Sequence, residues 1–136
     1  MGRILAIDYG QKRTGLAVTD PLRITANPLL TVATEQLTDW LRDYLNSNIV
    51  DEVVIGHPTQ LNGEESSSMK YIRPFVQRFR KEFPNVPLAE YDERFTSTLA
   101  HRAMIAGGMK KMQRRDKAVV DKIAACILLE DYLQTL

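Results

Sequence analysis

Acidic side chains follow several of the elements that the sequence predicts, and carboxylates gathered in one place can hold a metal ion. The candidates are Asp8, the pair Asp92 and Glu93, and Asp121. Mg²⁺ and Mn²⁺ prefer oxygen ligands and keep waters that a phosphate can replace. Two such ions about 4 Å apart activate a water and stabilise the leaving oxygen of a phosphodiester. The acids therefore predict metal-dependent phosphodiester chemistry, provided that they meet in the fold.

Each acid also has an ordinary structural interpretation. Asp8 can cap a hairpin turn through its own backbone. Asp121 lies near the start of a helix, where the dipole favours a carboxylate and Lys117 is one turn away. Consecutive strand residues point to opposite faces, so only one of Asp92 and Glu93 can face Asp8, and spacing alone leaves that choice open.

The elements that position these acids follow from periodicity, which predicts the order βββ-α-β-α-β-α-α. The apolar residues 4–7 and the run 16–20 form a hairpin, and residues 24–33 form a third strand bent at Asn27-Pro28. Three strands without intervening helices must form an antiparallel meander, whereas helices between later strands require parallel crossovers. We therefore expect an α/β fold with one mixed five-stranded sheet, three antiparallel then two parallel strands, and helices on both faces.

The same pattern gives positions within that sheet. The first strand is apolar on both faces and should be central, whereas Pro87 cannot donate to a ladder and places the fifth strand at an edge. Ligands collect at the carboxyl ends of parallel strands, so Asp8 and the Asp92-Glu93 pair should reach the same end of the sheet. Thr34 is expected to cap the first helix, and Pro74 to kink the second or delay its start.

Composition describes one ordinary domain over residues 1–136. The chain is 44% hydrophobic and 26% charged, with a formal net charge of +1, so any nucleic acid must be bound by a local basic patch. Cys126 is the only cysteine and excludes an internal disulfide. The apolar run 123–129 is far short of the roughly 20 residues that span a bilayer. We expect a cytoplasmic protein with no membrane partner.

A basic segment from Lys110 to Lys122 leads up to Asp121 and one residue beyond it, and is a candidate phosphate-binding surface. It contains Lys110, Lys111, Arg114, Arg115, Lys117 and Lys122. Such a segment can hold phosphates beside an acidic site, although a solvated basic loop has the same composition. Lys12, Arg13 and Arg94 lie near the motif acids and could clamp a phosphate or, for the two arginines, neutralise a carboxylate.

Three motifs in matching order resemble the YqgF family, and the resemblance spans nearly the whole chain. They are Ile7-Asp8-Tyr9-Gly10 with Lys12, Arg13 and Gly15; Asp92-Glu93-Arg94-Phe95-Thr96; and Val120-Asp121-Lys122-Ile123-Ala124-Ala125. Members of that family are described as Holliday-junction-resolvase-like proteins and as pre-16S rRNA nucleases with a ribonuclease H-like fold. The resemblance implies that Asp8, Glu93 and Asp121 form the acidic, metal-binding triad, and it favours Glu93 over Asp92. His57-Pro58, where Gly-Leu-Pro is common, departs from the family pattern.

The resulting hypothesis is a nuclease that uses Mg²⁺ or Mn²⁺, with two ions expected, on pre-rRNA or branched DNA. One alternative is a non-catalytic RNA-binding factor for ribosome assembly. Another is an actin-like or sugar-kinase-like ATP-binding domain, although such proteins close two domains on a nucleotide. A junction resolvase should be a two-fold dimer, whereas trimming of an rRNA end does not require one, so both monomer and homodimer are open.

Overall fold

A computed structural model of the chain describes residues 2–57, 69–92 and 117–136, with only the backbone of Lys117. Its elements, in chain order, are β1 (Arg3–Asp8), β2 (Arg13–Thr19), β3 (Ala26–Ala33), α1 (Leu37–Ser47), β4 (Val50–His57), α2 (Met69–Glu82), β5 (Leu88–Asp92) and α3 (Lys117–Leu133). The expected short helix after Thr96 lies outside the described residues.

The five strands form one mixed sheet in the order β3-β2-β1-β4-β5. β1 pairs antiparallel with β2, and β2 pairs antiparallel with β3. β1 pairs parallel with β4, and β4 pairs parallel with β5. The predictions of a central β1, an edge β5 and a meander followed by two parallel strands are confirmed.

Helices cover both faces of this sheet because alternate residues of the strands are apolar on both sides. Leu5 and Ile7 point to one face, where they pack with buried residues of α1 and α2 such as Leu41 and Ile72. Ile4 and Ala6 point to the other face and pack with α3. The chain therefore has two apolar layers separated by the sheet, and α3 alone among the described helices covers the second layer.

One strand boundary differs from the sequence prediction, and Pro28 and Pro74 lie inside β3 and α2. β3 begins at Ala26 rather than Ile24, because the Asp20 carboxylate accepts hydrogen bonds from the Ile24 and Thr25 backbones at 2.8 Å each and holds them in a turn. The expected bend near Pro28 is a register shift in the β2–β3 ladder. Pro74 lies inside α2, which in the described chain starts at Met69.

Thr34 does not cap α1, so that prediction was wrong. Thr34 begins a 3-10 turn, Thr34–Gln36, that precedes α1, and no side chain caps either helix start. Its hydroxyl instead donates to the carbonyl of Gly10 at 2.6 Å and lies 2.9 Å from the Thr14 hydroxyl. Thr34 therefore ties the start of α1 to the turn of the first hairpin, which carries the motif residues.

Candidate active site

Asp8 ends β1 on the face of the sheet that α3 covers. Ile4 and Ala6 of the same strand pack against α3, and strand alternation places Asp8 with them. Tyr9 packs on the opposite layer, 4.9 Å from the Phe75 ring. The carboxylate thus leaves the apolar interior at the carboxyl end of the central strand and faces α3.

Gly15 allows α3 to approach that point. It is the partner of Asp8 in the β1–β2 ladder, and a β-carbon at Gly15 would overlap the backbone carbonyl of Asp121. Farther along the same side of α3, Ala125 is fully buried against the sheet. The first hairpin and the first turns of α3 are therefore in backbone contact, which brings Asp121 to Asp8.

The two carboxylates interact electrostatically. Burial, as the larger cause, and the negative charge of Asp121 together raise the pKa of Asp8 from 3.8 to about 7. Within the described residues, the Asp8 side chain makes no hydrogen bond and no ion pair. A carboxylate withdrawn from water without a cationic partner is costly, so the site favours a cation that the described residues do not supply.

Asp121 has a partner in the first hairpin, which is Arg13. The Arg13 Nε donates to Asp121 Oδ2 at 3.0 Å, and the two side chains are 40% and 26% exposed. The Asp121 carboxylate therefore points toward the hairpin. The local interpretation of Asp121 as a helix-start acid paired with Lys117 cannot explain this orientation, although the Lys117 side chain lies outside the described part.

At the end of β5, strand alternation decides on which face of the sheet Asp92 lies. Ala89 and Tyr91 pack against the α3 layer, whereas Leu88 packs against the α2 layer and Glu90 contacts Arg80 of α2 at 3.4 Å. By alternation, Asp92 shares the face of Glu90 and points away from Asp8. Asp92 is therefore excluded as a partner of Asp8 at this strand end, and Glu93 lies outside the described residues.

The predicted basic residues are only partly within the described chain. Lys12 is exposed in the hairpin turn, and Arg13 contacts Asp121. The backbone of Lys117 begins α3. Arg94, Lys110, Lys111, Arg114 and Arg115 lie outside the described residues, so their place relative to the acids stays a prediction.

His57 occupies the α2 face, not the face of the acids. It ends β4 beside Asp92, and its Nε2 lies 2.8 Å from Glu90 Oε1. Val53 and Ile55 of the same strand pack in the α1–α2 layer, which places His57 on that side by alternation. The geometry favours a structural role for His57 over a role in the Asp8 site.

Sequence reasoning missed two contributors to the site geometry. Gly15 gave a usable signal, because an isolated glycine inside a strand pattern indicates a close backbone approach. Thr34 gave none, because its contact with Gly10 joins residues from different elements. Both act by placing backbone, and neither touches the carboxylates.

Comparison with known proteins decides the family. The sequence profile of the family described as RuvX, Holliday junction resolvase, matches residues 2–135. The chain belongs to the RuvX family. This is the family that the three sequence motifs resemble, and its name denotes nucleases, which are hydrolases acting on phosphodiester bonds.

RuvX relatives match along nearly their whole length. A protein of Phocaeicola vulgatus named "Putative pre-16S rRNA nuclease" is 53% identical over 99% of this chain and 97% of its own. A protein of Porphyromonas gingivalis with the same name is 55% identical over 98% of this chain and 96% of its own. Among solved structures, T. thermophilus RuvC in complex with Holliday junction substrate matches with a TM-score of 0.58, covering 99% of this chain and 96% of that chain, at 18% identity. That likeness confirms the ribonuclease H-like fold.

Proposed function

We propose that this chain is a metal-dependent nuclease that trims the 5′ end of pre-16S rRNA. The observation that carries the proposal is the Asp8 carboxylate, which lies half-buried at the end of the central strand, faces Asp121, and has no cationic partner among the described residues. An acid held in this state is poised to exchange a proton for a metal ion.

The residues present fit a hard divalent cation. Asp8 and Asp121 supply carboxylate oxygens from two elements in backbone contact, and oxygen is the ligand that Mg²⁺ and Mn²⁺ prefer. In the described ranges, no group of three or more acidic, histidine or cysteine side chains forms a metal site. A third ligand must therefore come from elsewhere in the chain, and Glu93 is our candidate.

Strand alternation supports Glu93 as that third ligand. Ala89 and Tyr91 of β5 lie on the α3 face, so a further residue in the same pattern would join Asp8 on that face. The sequence resemblance selects the same residue. Metal ions bound by these three acids, with two expected, would supply activation of a water and stabilisation of the leaving oxygen. The protein's own part is to hold the three carboxylates on one face, beside the hairpin.

Basic residues around the acids would hold the substrate backbone. Lys12 is exposed at the hairpin turn, and the segment from Lys110 to Lys117 leads into α3, whose first turns reach the site. Arg94 directly follows the proposed third ligand in the chain. Phosphate contacts of this kind fix the position of a nucleic acid without reading its sequence.

The names of the relatives favour RNA as the substrate. Relatives more than 50% identical are named for pre-16S rRNA, whereas the family description names Holliday junctions. Symmetric cleavage of a junction would require a two-fold dimer. We propose a monomer that acts on an rRNA end in the cytoplasm, and one domain over residues 1–136. Among the described residues, no helix is long and apolar enough to cross a membrane.

The test compares acids on opposite faces of the sheet. We expect Asp8→Asn, Glu93→Gln and Asp121→Asn to lower Mg²⁺- or Mn²⁺-dependent cleavage by more than the 10- to 100-fold that is typical of lost outer-shell partners. The matched control is Asp92→Asn, which removes the neighbouring acid on the other face and should keep activity within about threefold of wild type. Cleavage of an end-labelled pre-16S rRNA fragment and of a four-way DNA junction is measured with each metal and with EDTA.

Several outcomes would contradict the proposal. Cleavage by Asp8→Asn at the wild-type rate would remove Asp8 from the reaction. RNA binding by wild-type protein without cleavage in any divalent metal would favour the RNA-binding assembly factor. Preference for the junction over rRNA, together with a dimer in sedimentation, would keep the nuclease chemistry and replace the substrate.

A further inference from the structure

Arg13 uses only one nitrogen of its guanidinium group in its contact with Asp121 at the candidate site. It contacts Asp121 through Nε alone, at 3.0 Å from Oδ2. Among the described residues, no partner binds the two terminal amino groups of Arg13 or the second oxygen of Asp121. An arginine side chain has five N–H donors in a planar fork, so most of its hydrogen-bonding capacity remains available.

The backbone that carries Arg13 is tightly held. The adjacent Lys12 carbonyl accepts a hydrogen bond from the Thr34 backbone at 3.0 Å, and the Thr34 hydroxyl donates to Gly10. A β-carbon at Gly10 would overlap the Arg13 carbonyl, so the turn is also tight. Arg13 itself is paired with Ala33 in the β2–β3 ladder. The base of the side chain is therefore fixed relative to Asp121.

The terminal amino groups of Arg13 are accessible to a substrate phosphate, because the side chain is partly exposed beside Asp121. The side chain is 40% exposed and belongs to the same strand face as Gly15, on which Asp121 packs. Phosphate diesters accept two parallel hydrogen bonds from the terminal amino groups of arginine. Lys12, one residue earlier, is exposed without a carboxylate partner in the described chain.

We propose that Arg13 is a positioning residue with two simultaneous partners: its Nε holds Asp121 by Oδ2, and its terminal amino groups bind the substrate phosphate. This inference rests on the proposed nuclease function and adds a regulation of its site. The positive charge of Arg13 opposes binding of a divalent cation when no nucleic acid is present. The same charge favours binding of the phosphodiester, so metal and substrate are expected to bind together more readily than metal alone.

This arrangement predicts opposite effects on metal binding and cleavage. In Arg13→Gln the positive charge is lost, and we expect the affinity for Mn²⁺ without nucleic acid to rise about three- to tenfold, the range for a partly exposed charge pair. Cleavage should fall about 100-fold, because the fork that orients the phosphate is gone. A merely structural arginine would lower both quantities or neither.

Two further variants separate charge from geometry. Arg13→Lys keeps the charge and should keep Mn²⁺ affinity near that of wild type, but it should lose most cleavage because lysine cannot form the planar fork. Lys12→Gln is the matched control, since it removes a neighbouring charge that has no carboxylate partner. It should leave Mn²⁺ affinity unchanged and reduce the salt dependence of RNA binding by about one phosphate contact.

The experiment measures Mn²⁺ binding by calorimetry on the metal-free full chain, and cleavage of the rRNA fragment with separate kcat and KM. Unchanged or weaker Mn²⁺ binding in Arg13→Gln, or wild-type cleavage by that variant, would overturn the proposal. If wild-type protein cleaves nothing, the proposed function fails. The calorimetric comparison of wild type with Arg13→Gln would still report whether Arg13 opposes the cation at Asp121.

Discussion

At the scale of single residues, the partial burial of the Asp8 carboxylate has a cost in stability that depends on pH. Burial and the nearby Asp121 charge raise the pKa of Asp8 to about 7. The folded protein therefore binds a proton at Asp8 more tightly than the unfolded chain does, between pH 3.8 and about 7. Across that window the contribution of Asp8 to the free energy of unfolding falls as pH rises.

Replacement of Asp8 by Asn should remove that dependence in the metal-free protein. We expect Asp8→Asn and wild type to have similar unfolding free energies near pH 4, and the variant to be more stable near pH 8. The change in the pKa of Asp8 from 3.8 to about 7 corresponds to at most about 4 kcal/mol of unfolding free energy. Screening of the carboxylate by solvent makes the measured difference smaller. Denaturant unfolding in EDTA at both pH values measures the difference. An equal gap at the two pH values would show that Asp8 does not titrate as described.

A second point at the scale of single residues is which of the neighbouring acids Asp92 and Glu93 can face Asp8. The exposed Asp92 shares its face with Glu90, and Glu90 contacts His57 and Arg80. Sequence spacing showed only that one of the two acids could face Asp8. Excluding Asp92 required knowing which side of β5 packs on α3. Alternation along a strand shows that neighbouring residues point to opposite faces, but not which of them points to the face of Asp8.

At the scale of elements, the contact between β2 and α3 sets the distance between the acids. Gly15→Ala should push α3 away, because its new β-carbon would overlap the Asp121 carbonyl. We expect a loss of about 1–3 kcal/mol in unfolding free energy from overpacking. Cleavage should fall about 100-fold, because displacement of about 1 Å at a reacting site has that effect.

The control for this prediction is Gly2→Ala. The atoms nearest to a β-carbon there belong to the side chains of Asp51 and Ile49, at the opposite end of β1 from Asp8. It should therefore leave cleavage within about twofold of wild type even if stability changes slightly. Equal losses of cleavage in the two variants would argue that general destabilisation, not α3 placement, is responsible.

The tie between Thr34 and the hairpin turn is a second element-scale contact. Thr34→Val keeps the shape and removes the hydroxyl that donates to Gly10 and contacts Thr14. We expect a loss of about 1–2 kcal/mol in unfolding free energy, because the Gly10 carbonyl loses its donor. Thr34→Ser keeps the hydroxyl and should retain most of the stability. Thermal or denaturant unfolding of the three proteins measures the effect, and equal loss in both variants would contradict it.

At the scale of the whole molecule, the sheet divides the interior into two layers that should respond independently. Ile72 is fully buried in the α1–α2 layer, and Ile4 is fully buried in the α3 layer. Each Ile→Val change should cost about 0.5–1.5 kcal/mol. The double variant should show the sum to within about 0.5 kcal/mol, because the sites share no packing partners. Denaturant unfolding of the four proteins completes the cycle, and a larger coupling would mean that the layers are not separate.

The sequence by itself determined the mixed sheet, its central strand and the acid at the end of that strand, because these depend on periodicity and on which residues are apolar. It also indicated that Asp121 lies near the start of the last helix. Only the tertiary structure decided that Asp121 packs on Gly15, pairs with Arg13 and raises the pKa of Asp8. Those facts depend on how residues 108 positions apart in the chain are brought together, and local patterns carry no information about where a helix crosses a sheet.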